Sequence, residues 1–303
     1  MSIRDDYRIT PAARRARSVT MEFFDDGRPL EEIRREKEER ITSEGVDTPA
    51  SVWRIEMIRG LDLRPREWGA PTGEPAKSVI MLGCYPLSGI QEIMAYGRLL
   101  QRLGERYTFL TKEYCCGAPM MMLTAHRGDK AGRGPALETA RELVGMNIAE
   151  ARRLGAEAMY YPCPWCAYVA RRFYSDCDVQ QRYYADHIVD LVKERQPHLR
   201  LDAEVGYYPG CQAKRLAFAG QPDADWDWKA YRETLGTVEG LRIKDIPRYC
   251  CATDWQRVSD YVEKKNVDTT VMPCWACKGM FNYLKPDLPR QGFAEILLEA
   301  LQA

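Results

Sequence analysis

No stretch of the sequence approaches 18 uncharged apolar residues, so no transmembrane helix is expected. The opening MSIRDDYRIT has no apolar h-region. A secretory signal is therefore not expected, and the expected compartment is the cytoplasm. An excess of one sign of charge is also missing: 44 Lys plus Arg balance 44 Asp plus Glu over 303 residues. That balance offers no footprint for nucleic acid or for an anionic membrane surface. Two cofactor signatures are missing as well. There is no G-x-G-x-x-G fingerprint, so the chain is not expected to carry its own flavin or nicotinamide site. There is no C-x2-C-x2-C-x3-C run, so it is not expected to carry its own cubane wire.

Cysteine is plentiful. Ten of the 11 cysteines fall into one pattern written twice. The first copy is Cys84, then Cys115-Cys116, then Cys163-Pro164-Trp165-Cys166. The second is Cys211, then Cys250-Cys251, then Cys274-Trp275-Ala276-Cys277. The spacings are C-x30-CC-x46-C-x2-C and C-x38-CC-x22-C-x2-C, and only Cys177 stands outside them.

Four readings compete. Disulfide frameworks suit short secreted chains with an even cysteine count, and this chain is neither. Structural zinc takes four ligands in a tetrahedron, whereas each copy offers five, two of them sequence neighbours. Burial as ordinary hydrophobes leaves the repeated order unexplained. A multi-iron sulfur cluster meets each constraint, because soft thiolates select such sites and adjacent thiolates can reach different metals.

The order C…CC…C-x-x-C, with Cys115-Cys116-Gly117 in the first copy, resembles the cysteine-rich CCG domain of the B-type proteins of heterodisulfide reductase. The resemblance spans about residues 78 to 284. It implies two [4Fe-4S] clusters of non-cubane type, each held by five cysteines. By resemblance, cluster one takes Cys84, Cys115, Cys116, Cys163 and Cys166, and cluster two takes Cys211, Cys250, Cys251, Cys274 and Cys277. It also implies thiol–disulfide redox chemistry with a disulfide bound between the clusters. Electrons would come through a ferredoxin-like iron–sulfur subunit and a flavoprotein subunit. The second copy departs from the motif by reading Cys250-Cys251-Ala252, and alanine permits less backbone freedom than glycine. Related CCG proteins also serve dehydrogenase systems that deliver electrons to quinone, so an electron-transfer role without disulfide chemistry stays open, as does a zinc protein.

The expected fold is α/β, in two pseudo-symmetric halves. Each half has a small, mostly parallel sheet flanked by helices, with a cluster site at the strand C-terminal ends. Residues 1–76 read as a charged N-terminal arm for partner docking, 77–200 as the first cluster domain and 201–303 as the second. Within the arm, EEIRREKEER (31–40) reads as a solvated helix, Trp53, Ile55, Met57 and Ile58 as an anchor, and 64–75 as a linker.

Strands are expected at 78–84, 107–110, 156–161, 205–209, 241–246 and, as the last, 270–272. Expected helices start at Ser88, cover Leu137, Ala140, Val144 and Ile148, begin near Ala167, and span 181–197, 223–235 and 293–301. Gly117–Pro135 reads as a loop holding Met120-Met121-Met122 and His126, a histidine more at home on the surface than as a ligand. Trp165 is expected to pack over the first site. Cys177 reads as a structural thiol. Lys112, Lys214, Arg215 and Lys278 sit near cysteines in sequence and read as solvated lysines and arginine, or as anchors for an anionic thiol.

Overall fold

The structure is a computed structural model. It describes residues 71–303, apart from 83–89, 111–112, 115, 119–120, 122–127, 211–225, 248, 250, 252–253, 276, 279–280, 282–284, 286 and 303. The helix at 31–40, the anchor around Trp53, Ser88, His126, Lys112, Lys214 and Arg215 lie outside the described residues, as do Cys84, Cys115, Cys211 and Cys250.

Short, largely apolar runs form the first three strands. Ser78–Ile80 (β1), Tyr107–Phe109 (β2) and Ala158–Tyr161 (β3) are buried at every position. Strands covered on both faces read as continuous rather than alternating runs. A fourth strand, Gln180–Tyr183 (β4), completes a parallel sheet of order β2-β1-β3-β4. The second sheet has Arg200–Tyr207 (β5), Glu239–Asp245 (β6), Thr269–Met272 (β7) and Arg290–Gly292 (β8). Its order is β6-β5-β7-β8, again parallel throughout. The two sheets thus share one connectivity, as the duplicated motif requires. Among the described residues the chain divides into two compact units, one ending at Tyr184 and the other running from Ala185 to Ala303.

Helices connect the parallel strands. In the first sheet these are Ile90–Arg102 (α1), Arg133–Arg153 (α2) and Pro164–Tyr174 (α3). Then come Tyr184–Arg195 (α4), Trp228–Leu235 (α5), Trp255–Lys265 (α6) and Phe293–Gln302 (α7). α2 buries Ala136, Ala140, Leu143, Val144, Asn147, Ile148 and Ala151, a stripe at spacings of three and four. Arg152 and Arg153 in its last turn favour the negative end of the helix dipole, and Gly155 at a φ of 79° follows its end.

Several expectations need correction. Residues 181–183 belong to β4, not to a helix, which starts at Tyr184. β7 is not the last strand, because β8 follows it. Both missed strands are short and mostly polar, QQRY and RQG, so no apolar run marks them in the sequence. α2 starts at Arg133, inside the expected loop, and α3 starts at Pro164, three residues early. Strands β5 and β6 extend further toward their N-termini than their apolar cores. Ion pairs Arg242–Asp202 and Lys244–Glu204 join the N-terminal extension of β5 to β6. Pro71 to Glu74 is not a free linker end. The Phe109 amide donates to the Pro71 carbonyl, Gly73 N–H to the Phe109 carbonyl, and Glu74 N–H to Thr108 Oγ1.

Candidate metal centre

Each cysteine of the repeat follows the C-terminal end of a strand: β1, β2 and β3 in the first copy, β5, β6 and β7 in the second. In a parallel sheet flanked by helices, this edge is where a ligand finds helix N-termini and open backbone.

In the first copy, β3 runs into Pro162-Cys163 and directly into α3. Cys163 is the N-cap in extended conformation, Pro164 takes the first helical position, and the Ala167 amide closes the first turn on the Cys163 carbonyl at 3.1 Å. Cys163 and Cys166 therefore both sit in the first turn, at the positive end of the helix dipole, a pull toward thiolate that burial and neighbouring sulfurs outweigh at Cys166. Cys166 Sγ lies 3.3 Å from Cys116 Sγ, although the two are 50 residues apart in sequence. Both are 2% exposed. Contacts with the Cys116 and Cys163 sulfurs, together with burial, push the Cys166 thiol well above the ordinary cysteine range. Cys163 is half-buried.

Polar side chains that no motif announced hold this arrangement. Asn147, fully buried on α2, takes the Tyr114 amide on Oδ1 and donates from Nδ2 to the Tyr114 carbonyl, both at 2.7 Å. It fixes the backbone just ahead of Cys115-Cys116. Glu113, also fully buried, accepts the Leu82 amide, tying the chain two residues before Cys84 to the chain two residues before Cys115. Gly117 has a φ of +74°, and a Cβ there would lie 2.4 Å from Ala140 Cβ on α2. Only glycine lets the Cys-Cys turn settle onto that helix. Asn147 and Glu113 escape sequence reading because their partners lie tens of residues away, and Ala140 is legible there only as one apolar position of a helix. The glycine of the CCG triplet was the one available signal.

Trp165, between Cys163 and Cys166, is half-buried and meets Tyr168 edge-on at 6.0 Å. Cys177 donates to the Val179 carbonyl at 2.8 Å and accepts from Gln181 Nε2 at 3.4 Å, which fits a structural thiol.

In the second copy, Cys251, Cys274 and Cys277 are buried, with Trp275 between the last two at 1% exposure. The Cys277 amide bonds the Cys274 carbonyl at 3.0 Å, so this pair also opens a helical turn. Gly210, just before Cys211, has a φ of +87°. A Cβ there would meet Cys274 Cβ at 2.8 Å and Cys277 Sγ at 3.4 Å. The missing methyl group leaves room beside both sulfurs. The Tyr208 hydroxyl donates to the Tyr249 carbonyl at 2.5 Å, tying the end of β5 to the segment before Cys250. Lys278 is not a solvated lysine: it is 5% exposed and ion-paired with Glu295 on α7.

Among the described residues, no three of histidine, cysteine, aspartate and glutamate converge as a complete metal-holding group. Four of the ten cysteines lie outside those residues. The described donors nevertheless fit a group that takes soft thiolates. They are sulfur only, two touch across the strand ends, and glycine keeps space clear beside two others.

No helix among the described residues is long and apolar enough to cross a membrane. No curated protein matches the chain. Solved structures similar to it include a putative Asp/Glu racemase from Yersinia pestis, with 13% identity over 74% of this chain and 97% of that one, at a TM-score of 0.35. PH1733, an aspartate racemase homologue from Pyrococcus horikoshii OT3, has 14% identity over 75% and 97%, at 0.34. Glutamate racemase isoform RacE1 from Bacillus anthracis has 12% identity over 77% and 80%, at 0.29. Likeness at this level says nothing about activity. Residues 80–170, which include all five cysteines of the first copy, match the family model for CCG, a cysteine-rich domain.

Proposed function

We propose that this chain is an iron–sulfur redox protein of the heterodisulfide reductase B type, acting in thiol–disulfide chemistry within a multi-subunit electron-transfer complex. The observation that carries the reading is the contact of Cys116 and Cys166, delivered by two different strand ends to within 3.3 Å beside Cys163. Cys84, Cys115, Cys116, Cys163 and Cys166 would hold one [4Fe-4S] cluster, and Cys211, Cys250, Cys251, Cys274 and Cys277 a second, both of non-cubane type. When bound, such clusters supply one-electron transfer at sulfur, two of which cleave or form an S–S bond.

The chain's own part is to hold the donors and exclude water. The first turn of α3 presents Cys163 and Cys166 to the positive end of a helix dipole. Asn147 and Glu113 fix the strand ends that bring the other donors in. Burial of Cys116, Cys166, Cys274 and Cys277 lowers the local dielectric, which sets the potential of a bound centre. With no flavin or nicotinamide signature in the sequence, the electrons would pass through a ferredoxin-like subunit and a flavoprotein subunit.

Anaerobic reconstitution followed by iron, sulfide and zinc analysis tests the reading, together with a spectrum titrated with thiols and disulfides. About eight irons and eight inorganic sulfides per chain are expected, with a spectrum that responds to thiol. A chain holding only zinc, or a loaded chain whose spectrum ignores thiols and disulfides, would overturn it.

A further inference from the structure

The two copies differ in the charge placed immediately after the last cysteine. In the second copy that residue is Lys278, and its ammonium is paired with Glu295 in the third position of α7. The same carboxylate accepts the Gly292 amide at the end of β8, so the pair fastens the Cys277 turn to the fourth strand and its helix. The corresponding residue in the first copy is Ala167, which is fully buried. Strand register makes Asp186 the counterpart of Glu295, since Tyr161 pairs Tyr183 as Met272 pairs Gly292. Asp186 accepts the Tyr231 hydroxyl instead. A lysine with only 5% exposure is uncommon, and it survives burial when a carboxylate compensates it.

From this juxtaposition we propose that Lys278 is a positioning residue that makes the second site electronically unlike the first. It follows Cys277 directly, and its positive charge favours the more negative, reduced state of whatever the Cys274–Cys277 sulfurs bind. Glu295 holds the ammonium in place and tempers its effect. With alanine at the matching place, the first site lacks this bias and is the weaker oxidant of the two. The inference rests on the iron–sulfur reading above and adds an order of reduction between the sites.

The test is a redox titration of the reconstituted full-length protein, followed by electron paramagnetic resonance. Cys166→Ser and Cys277→Ser variants assign each signal to its site. Lys278→Gln is expected to keep wild-type iron and sulfide and to lower the second site's reduced-to-oxidised ratio about tenfold at a fixed potential. For one electron that is a shift of about 59 mV. The first site should not move, and Lys278→Arg should restore the wild-type value. Should Lys278→Gln fail to fold, Glu295→Gln leaves the cation without its partner and should shift the second site in the opposite direction. An unchanged second site in a loaded variant, equal shifts at both sites, or loss of iron from the second site alone would overturn the inference and leave the iron–sulfur reading standing. Wild-type protein without iron and sulfide would overturn both.

Discussion

A methyl group at position 117 would lie 2.4 Å from Ala140 Cβ and 2.6 Å from its Cα, and the backbone there has a φ of +74°. Gly117→Ala therefore meets steric strain and a rigid helix at once. The expected cost is roughly 2–5 kcal/mol, from left-handed backbone plus overpacking. Chemical denaturation of the first unit measures it, and a loss below about 0.5 kcal/mol would contradict the packing. Tyrosines give a second prediction at the same scale. Burial holds the Tyr96 and Tyr161 hydroxyls well above the ordinary tyrosine value, and for Tyr161 the Cys166 and Cys177 sulfurs add to it. A pKa raised by folding means the native state keeps its proton longer than the unfolded chain. Its contribution is full below about pH 10 and is lost as pH rises beyond. Tyrosinate absorbance at high pH should show these two ionising together with the loss of circular dichroism. Smooth ionisation of all 17 tyrosines with the fold intact would refute this.

At the scale of elements, α2 holds the first site in place through Asn147. Asn147→Ala would leave the Tyr114 amide and carbonyl, now satisfied at 2.7 Å each, without those partners inside the protein. The expected loss is about 2–4 kcal/mol, from two buried groups at 1–3 kcal/mol each. Iron retention at the first site should fall with it, which metal analysis before and after chelator treatment checks.

The contrast between what sequence reveals and what it hides is sharpest at this level. β1 is readable because Val79 to Leu82 is an unbroken apolar run leading to Gly83-Cys84. The 22-residue gap before Cys274 has room for one helix and one strand, and it holds α6 and β7. β4 and β8 are hidden because QQRY and RQG are short and mostly polar, so the burial of Gln181, Tyr183 and Gly292 leaves no apolar run to read. Glu113 and Lys278 are hidden for another reason. Each is an ionisable residue inside the protein, with partners that include the Leu82 amide and Glu295 and lie far from it in sequence.

For the molecule as a whole, the duplicated cysteines divide between the two units. Cys84 through Cys166 belong to the unit ending at Tyr184, and Cys211 through Cys277 to the unit starting at Ala185. Cys166→Ser and Cys277→Ser should each remove about half of the iron while the other half keeps its spectrum. Loss of both signals from either change would show that the sites fill only together.

The closeness of Cys116 and Cys166 bears on how the protein must be made. At 3.3 Å, the two sulfurs need to close by only about 1.3 Å to reach bonding distance. An empty chain meeting oxygen would give up two hydrogens and weld this pair shut, taking two of the first site's five cysteines out of reach of a later delivery. Filling must then precede exposure to air. A chain purified aerobically from iron-starved cells should weigh about 2 Da less per sealed pair and refuse metal at the first site until a reductant reopens it.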